Sequence, residues 1–143
     1  MSRNRKDLRT YISPQGWFSL AYPETWEFEV DEDCTTFYRT STGEGALQIS
    51  AYETDEPQSA TANLEEYLQS EGIETRISSS VVNDGREIAS CKYTARGLFT
   101  RVWVITCDNS LIFATYNSDA EASVAEQQEV DTIIESLCFD VKS

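Results

Sequence analysis

The segment FSLAYPETW, from Phe18 to Trp26, constrains the fold of this chain more than any other stretch. Phe18, Leu20 and Tyr22 alternate with smaller or polar residues, which is the period of a β-strand with one buried face. Pro23 lacks an N–H group, so the hydrogen bonding of that strand ends there, and Trp26 begins the next apolar run. The segment predicts a strand, a sharp corner and two aromatic core residues, Phe18 and Trp26.

Glycines, prolines and polar turns divide the rest of the chain into further strands. Each strand is recognised by alternating apolar residues or by β-branched and aromatic residues. Strands are predicted at residues 11–13, 17–22, 26–30, 35–39, 46–52, 76–82, 86–96, 98–107 and 111–116. Asn83-Asp84-Gly85 is a hairpin turn signal, and the last three strands are separated only by short turns. They therefore predict an antiparallel meander.

Two segments have the period of amphipathic helices. The first, residues 61–71, has apolar side chains at Leu64, Tyr67 and Leu68 and is followed by Gly72, where a glycine would end the helix. The second, residues 119–137, begins at a Ser118–Glu121 capping box. Its apolar face consists of Val130, Ile133, Ile134 and Leu137. Consecutive strands with two helices able to cover them predict an α+β fold, an antiparallel sheet flanked by two helices.

The predicted strand at 98–107 is apolar on both faces, unlike a strand that has one solvated face. Its side chains divide into Val102 and Val104 on one face, and Phe99, Trp103 and Ile105 on the other. Either another part of the domain covers the second face, or a partner does. Such a partner could be a second copy of the chain, which would make the protein a homodimer.

Charge divides the chain into a basic arm, residues 1–10, and a single acidic domain, residues 11–143. The net charge is −14, and because the first ten residues sum to +3, the remainder carries −17. That charge repels phosphate backbones and anionic lipid, so we predict no nucleic-acid partner and no membrane partner. A basic protein partner is compatible with it, and so is simple solubility. With no apolar run long enough to span a membrane, we expect a cytoplasmic protein, or a mature fragment from which a leader has been trimmed.

The chain has no histidine, which removes the commonest metal ligand. Cys34, Cys91, Cys107 and Cys138 are widely scattered, so a zinc site would need all four thiolates or help from carboxylates. Cys91 and Cys107 could face each other across a hairpin, which leaves reduced thiols and a disulfide both open. Asp31-Glu32-Asp33 is either a solvated acidic loop or a weak calcium site, since it lacks the spacing of a calcium loop. We predict no metal and no cofactor.

The same absence of histidine excludes Ser–His and Cys–His nucleophile pairs. Neither a G-x-x-x-x-G-K-[ST] loop nor a G-x-G-x-x-G loop occurs. Carboxylates are plentiful, and two of them could meet in space as they do in a glycosidase. No pattern singles out such a pair. We therefore predict no catalytic residues and expect that the protein is not an enzyme.

The segment Phe18–Trp26 and the order of elements resemble the PsbP/Mog fold group, which includes DcrB-like and uncharacterised bacterial families. Its members open with a hairpin that reads F-x-x-x-Y-P-x-x-W and end with a long helix, and a helix like Leu64–Leu68, LEEYL, is typical. The resemblance spans about residues 11–140. It implies an α/β/α-like sandwich that acts as a binding module without an established active site. Some bacterial relatives are homodimeric chaperones of secreted effectors.

From these observations we expect a non-enzymatic protein-binding module, because large aromatic side chains are favoured at interfaces. It would be a chaperone or adaptor, or an immunity-type inhibitor, for a basic protein partner. The predicted partner-binding residues are Trp103, Phe99, Arg101, Ile105, Tyr38 and Tyr52. The alternative is a small-ligand carrier or a carboxylate-based hydrolase with an aromatic-lined pocket. A purely structural accessory domain is a third interpretation.

Overall fold

The computed structural model describes residues 7–32, 34–40, 44–81 and 85–139. Its elements, in chain order, are β1 (Leu8–Ile12), β2 (Phe18–Pro23), β3 (Trp26–Asp31), β4 (Cys34–Arg39), β5 (Gly45–Glu53), α1 (Ala60–Glu71), β6 (Ser78–Val81), β7 (Glu87–Ala95), β8 (Leu98–Cys107), β9 (Ser110–Ser118), α2 (Val124–Glu135) and β10 (Cys138–Phe139). The predicted order of five strands, a helix, four strands and a helix is confirmed, and a two-residue strand follows it.

Within the described residues, the strands form two antiparallel sheets. The large sheet has seven strands in the order β3-β4-β5-β9-β8-β7-β6, and the small sheet has the order β1-β2-β10. β5 pairs with β9 along its whole length, from Gly45 opposite Ser118 to Glu53 opposite Ser110. This pairing joins the amino-terminal hairpins to the meander β7-β8-β9. The prediction of an α+β fold built on an antiparallel sheet is confirmed.

The small sheet contains the segment that constrained the sequence prediction. β1 pairs with β2, and Leu8 lies opposite Pro23, so residues 8–10 belong to the fold although they were expected in the basic arm. Phe18 and Trp26 are each only 2% exposed and lie in the core, as predicted. The sequence did not indicate that β2 leaves the large sheet and pairs with β10.

α1 begins and ends where the sequence predicted. The Ser59 side chain caps its amino terminus by accepting a hydrogen bond from the Ala62 N–H group. Gly72 adopts the left-handed conformation, with φ of 72°, and the Ile73 N–H group then donates to the Leu68 carbonyl at 2.9 Å. Leu64 and Leu68 turn their apolar faces into the core.

α2 is shorter than predicted, because it spans Val124–Glu135 and not residues 119–137. The capping residue is Ser123, and Ser118 is instead the last residue of β9. Both serines precede a glutamate by three residues, so the sequence alone does not separate them. The Glu44 carboxylate favours Ser123 as the cap. It accepts hydrogen bonds from the Ser123 N–H group at 2.7 Å and from the Ser123 hydroxyl at 2.8 Å.

Both faces of β8 are covered within the domain. α1 packs over Val102 and Val104 on one face. The small sheet and α2 pack over the other face, where Phe99, Trp103 and Ile105 are 5%, 5% and 1% exposed. Of the two alternatives for this strand, the structure shows the intramolecular one, so these three side chains are core residues and offer no surface to a second copy.

Two cysteine predictions can be compared with the strand register. Val102, and not Cys107, lies opposite Cys91, and none of the four cysteines forms a disulfide. Burial raises the pKa of the Cys91 thiol to about 11, so it remains protonated at neutral pH. Asp33 of the predicted acidic loop, residue 82 at the end of the predicted strand 76–82, and Asn83 and Asp84 of the predicted hairpin turn lie outside the described residues.

Neither helix, at twelve residues each, reaches the length of a bilayer crossing, so the described residues contain no candidate helical membrane span. Over the same residues, no three histidine, cysteine or acidic side chains are grouped as a metal site would require.

Candidate functional site

α1 covers only part of its side of the large sheet. It packs on β7 and β8, whereas β3, β4 and β5 present their side chains on that side without a helix above them. We call this surface the open face. Its side chains follow from the strand register and are Glu27, Glu29, Asp31, Cys34, Thr36, Tyr38, Ala46, Gln48, Ser50 and Tyr52. Tyr38 and Tyr52, two of the predicted partner-binding residues, therefore share one face.

A trough runs between α1 and the open face. It consists of two adjoining grooves of about 610 and 600 Å³ that share Tyr67 of α1 and Phe113 of β9. The rings of these two residues meet edge to face, with centroids 4.9 Å apart. Tyr52, which is 48% exposed, lines the first groove, and Tyr93 lines the second. We call this feature the α1 trough.

The rim of the α1 trough is acidic. Three of its described lining residues present carboxylates on this side of the sheet, and Arg96 is the one cation in the lining, so the rim has a formal charge of −2. The three acidic residues come from α1 and from the segment after β9, and they are Glu66, Glu71 and Asp119. Glu53 also borders the first groove, but its carboxylate accepts a hydrogen bond from the Ser110 hydroxyl on the opposite side of the sheet. Charges of one sign around a cleft attract ligands of the opposite sign, so the trough favours a cation.

The far edge of the open face is acidic as well. The Tyr38 hydroxyl donates to Glu29 Oε2 at 3.1 Å and lies 3.5 Å from Glu27 Oε1. The hydrogen bond to Glu29 raises the pKa of Tyr38, and the negative charges of both glutamates add to that effect. Tyr38 therefore stays a neutral donor that holds two carboxylates on one exposed edge strand.

Two tyrosines inside the trough, Tyr67 and Tyr93, also keep neutral hydroxyl groups, because burial disfavours the charged form. Burial raises the pKa of Tyr67, and it raises the pKa of Tyr93 to about 12. The trough thus combines aromatic rings, neutral hydroxyl groups and an acidic rim.

The six predicted partner-binding residues do not form one site. Tyr38 and Tyr52 lie on the open face, Phe99, Trp103 and Ile105 lie in the core, and Arg101 lies on the opposite side of the large sheet. Sequence reasoning missed Tyr67 and Phe113, the centre of the trough. Periodicity had placed Tyr67 on the apolar face of the first helix, and Phe113 was only part of the predicted strand at 111–116. Nothing in the sequence showed that α1 leaves these two rings partly uncovered.

Two buried carboxylates, Glu126 and Glu129, lie on the other side of the sheet. Glu126 is fully buried, and its oxygens accept from the Tyr116 hydroxyl at 2.5 Å and from the Gly45 N–H group at 3.0 Å. Glu129 Oε1 accepts from the Trp26 indole at 2.8 Å. The Arg39 guanidinium lies 3.6 Å from Glu126 and 3.4 Å from Glu129.

This carboxylate pair is part of the packing between α2 and the large sheet. Gly45 approaches so closely that an added Cβ would stand 2.3 Å from the Asn117 carbonyl oxygen. Burial and the hydrogen bond to Glu126 both raise the pKa of Tyr116. Because protein groups occupy the oxygens of Glu126, and neither carboxylate lines the α1 trough, the pair is not placed to receive a substrate.

The sequence profile of DUF3805, a domain of unknown function, matches residues 5–142. The chain belongs to the DUF3805 family. No curated protein matches it in sequence.

Three solved structures resemble this DUF3805 chain. A Bacteroides thetaiotaomicron VPI-5482 protein is 22% identical, with 92% of this chain and 48% of that chain aligned and a TM-score of 0.65. Cyanobacterial PsbP (CyanoP) from Synechocystis sp. PCC 6803 is 12% identical, with 95% and 94% aligned and a TM-score of 0.68. The Saccharomyces cerevisiae Ran-binding protein Mog1p is 10% identical, with 94% and 96% aligned and a TM-score of 0.64.

These comparisons establish the fold. The similarity to CyanoP and Mog1p confirms that the chain has the PsbP/Mog fold, as the Phe18–Trp26 segment predicted. The chain spans about half the length of the Bacteroides protein, of which it covers 48%.

Proposed function

We propose that this DUF3805 domain is a protein-binding module whose α1 trough and open face receive a cationic segment of a partner protein. The observation that carries the proposal is the aromatic centre of the trough, Tyr67 against Phe113, surrounded by three carboxylates and one cation. Aromatic side chains supply the area of an interface, and the charged rim selects a partner of opposite sign.

The aromatic side chains are the contacts from which such an interface gains most of its affinity. Tyr52 is 48% exposed beside the first groove, and Tyr67 and Phe113 are half-buried at the centre. Tyrosine offers a large rigid surface at a small entropic cost, together with a hydroxyl that can bond to backbone groups of a ligand. An apolar or aromatic residue of the partner would fit between Tyr52 and Tyr67, with Lys or Arg residues against the rim.

Binding without catalysis agrees with how the trough is built. Its carboxylates are spread along the rim, with Glu66 and Glu71 on α1 and Asp119 in the segment after β9. Among the solved structures of this fold, Mog1p is described as a Ran-binding protein, so the same architecture serves protein recognition elsewhere. Within this class, the domain would act as a chaperone or adaptor, or as an inhibitor of a basic protein.

The test is binding of a fluorescein-labelled oligo-arginine peptide that carries one tryptophan, followed by fluorescence anisotropy. We expect Glu66→Lys to weaken binding about tenfold, because it reverses a charge on the rim. Glu65→Lys is the matched control, since Glu65 is the adjacent exposed residue of α1 and does not line the trough. Equal weakening by both variants would show that the peptide responds only to net charge, and the proposal would fail.

A second variant tests the aromatic part of the site. Tyr52→Ser removes an exposed ring and leaves the core intact, so its fold can be verified by circular dichroism. We expect a loss of affinity of about tenfold with an unchanged dependence on salt, since the charge of the rim stays the same. If Tyr52→Ser binds the peptide as well as the unmodified chain does, the trough is not the contact surface.

A further inference from the structure

A separate groove, which is not part of the α1 trough, lies on the opposite side of the large sheet. It runs between α2 and the strands β6, β7 and β8. Its volume is about 560 Å³, and it is lined by Arg76, Lys92 and Arg101 together with Asp131 of α2. The described residues contain seven Lys and Arg side chains, and three of them are gathered here. With one carboxylate against three cations, the groove has a formal charge of +2 in a chain of net charge −14.

Two of these cations directly oppose each other. Lys92 on β7 is the register partner of Arg101 on β8, and both side chains project to the α2 side. Like charges in directly opposed positions destabilise an antiparallel pair. Neither Lys92 nor Arg76 forms an ion pair within the described residues. The fold therefore tolerates an unfavourable arrangement that a bound anion would relieve.

Arg101 is held in a fixed position at the inner wall of the groove. Its Nη2 atom lies 2.8 Å from Asp131 Oδ1, and its guanidinium stacks 4.6 Å from the centre of the buried Trp103 ring. Stacking and the ion pair restrict the rotamers of the side chain, so little entropy is lost when further N–H groups bind an acceptor. Lys92 and Arg76 are exposed at the mouth of the groove.

We propose that this groove binds a small multivalent oxyanion, a molecule that carries two or more carboxylate or phosphate groups. Ser78 and Ser90 also line it and supply hydroxyl donors, which suit oxyanions and not apolar ligands. The volume lies in the range of small-molecule sites, and α2 closes one side, which favours a compact ligand over an extended chain. The site is separate from the α1 trough, because the large sheet stands between them.

The test is isothermal titration with citrate, with pyrophosphate and with an oligoglutamate peptide, all at one fixed ionic strength. We expect one equivalent of citrate or pyrophosphate to bind, and the tighter of the two will show whether the ligand is a carboxylate or a phosphate. Arg76→Gln and Lys92→Gln should each weaken binding about tenfold, since each removes a charged donor. Arg9→Gln is the matched control, because Arg9 is exposed on β1 and away from the groove.

Three results would overturn the proposal. The first is that neither citrate nor pyrophosphate binds. The second is that Arg9→Gln weakens binding as much as Arg76→Gln does, which would mean that only net charge matters. The third is that oligoglutamate alone binds, which would assign the groove to an acidic protein segment. None of these results bears on the α1 trough, which is tested with cationic peptide and different variants.

Discussion

The Tyr116 hydroxyl donates a hydrogen bond of 2.5 Å to the Oε2 atom of Glu126, and both residues are fully buried. The same carboxylate accepts from the backbone of Glu44 and Gly45, so it ties the start of β5 to the first turn of α2. A buried carboxylate of this kind is stable only while its partners are present, and the partners need it in return.

We therefore expect Glu126→Ala to lower the free energy of unfolding by about 3 kcal/mol, since it leaves the Tyr116 hydroxyl and the Gly45 N–H group without their acceptor and removes one of the two carboxylates beside Arg39. Urea denaturation followed by circular dichroism measures the change. Glu135→Ala, an exposed glutamate at the end of the same helix, should change the stability by less than about 0.5 kcal/mol. If the two variants are equally stable, the carboxylate does not tie β5 to α2.

The cap of α2 gives a pH dependence. Hydrogen bonds from the Ser123 N–H group and hydroxyl lower the pKa of Glu44 below its usual 4.5. A carboxyl group whose pKa is lowered by folding stabilises the folded state above its unfolded pKa, and this contribution disappears as the pH falls through its folded pKa. Glu44→Gln should thus be less stable than the unmodified chain at neutral pH, and the difference should shrink below pH 4.5. A difference that is constant from neutral to acidic pH would contradict this assignment.

The acidic rim of the α1 trough predicts that cationic partners associate quickly and that salt slows them. Exposed charges attract over about 10 Å at 0.1 M salt and over about 3 Å at 1 M salt. The association rate of the tryptophan-containing oligo-arginine peptide, measured by stopped-flow fluorescence, should fall at least tenfold between low salt and about 1 M salt. A rate that does not change with salt would remove the electrostatic part of the proposed function.

The opposed pair Lys92 and Arg101 predicts an uncommon result for a binding-site variant, a gain in stability. Without an anion, Lys92→Gln should raise the free energy of unfolding by a few tenths of a kcal/mol to about 1 kcal/mol, because the like-charge pair is lost. Chemical denaturation in a buffer free of multivalent anions measures it. Arg9→Gln serves again as the control and should have no such effect. A loss of stability in Lys92→Gln would show that the ammonium group is already compensated.

Local sequence signals predicted most of this fold, because most of its elements are determined locally. Alternating residues identified the strands, and Gly72 identified the end of α1. The start of α2 was not predictable in this way, since Ser118 and Ser123 carry the same signal and Glu44, 79 residues from Ser123, selects between them. The separation of β2 from the large sheet also depends on a distant element, β10.

The candidate site was less predictable than the fold for a similar reason. Tyr38 and Tyr52 were expected at a surface and lie on one, whereas Trp103 was expected there and lies in the core. An apolar position in a strand indicates burial, but it does not indicate whether the cover is a helix of the same chain or a partner. The position of α1 over β7 and β8 decides which rings remain accessible, and that position depends on packing between elements far apart in sequence.

The pairing of β5 with β9 has a consequence for how the chain folds while it is being synthesised. β3, β4 and β5 form consecutive hairpins that leave the ribosome before β9, so the inner edge of β5 has no partner until residue 118 has been translated. During that interval the nascent chain presents an unpaired nine-residue strand, the kind of edge on which misassembly and chaperone capture begin. Synthesis of β9 therefore completes the large sheet and also ends the period in which the edge of β5 is unpaired.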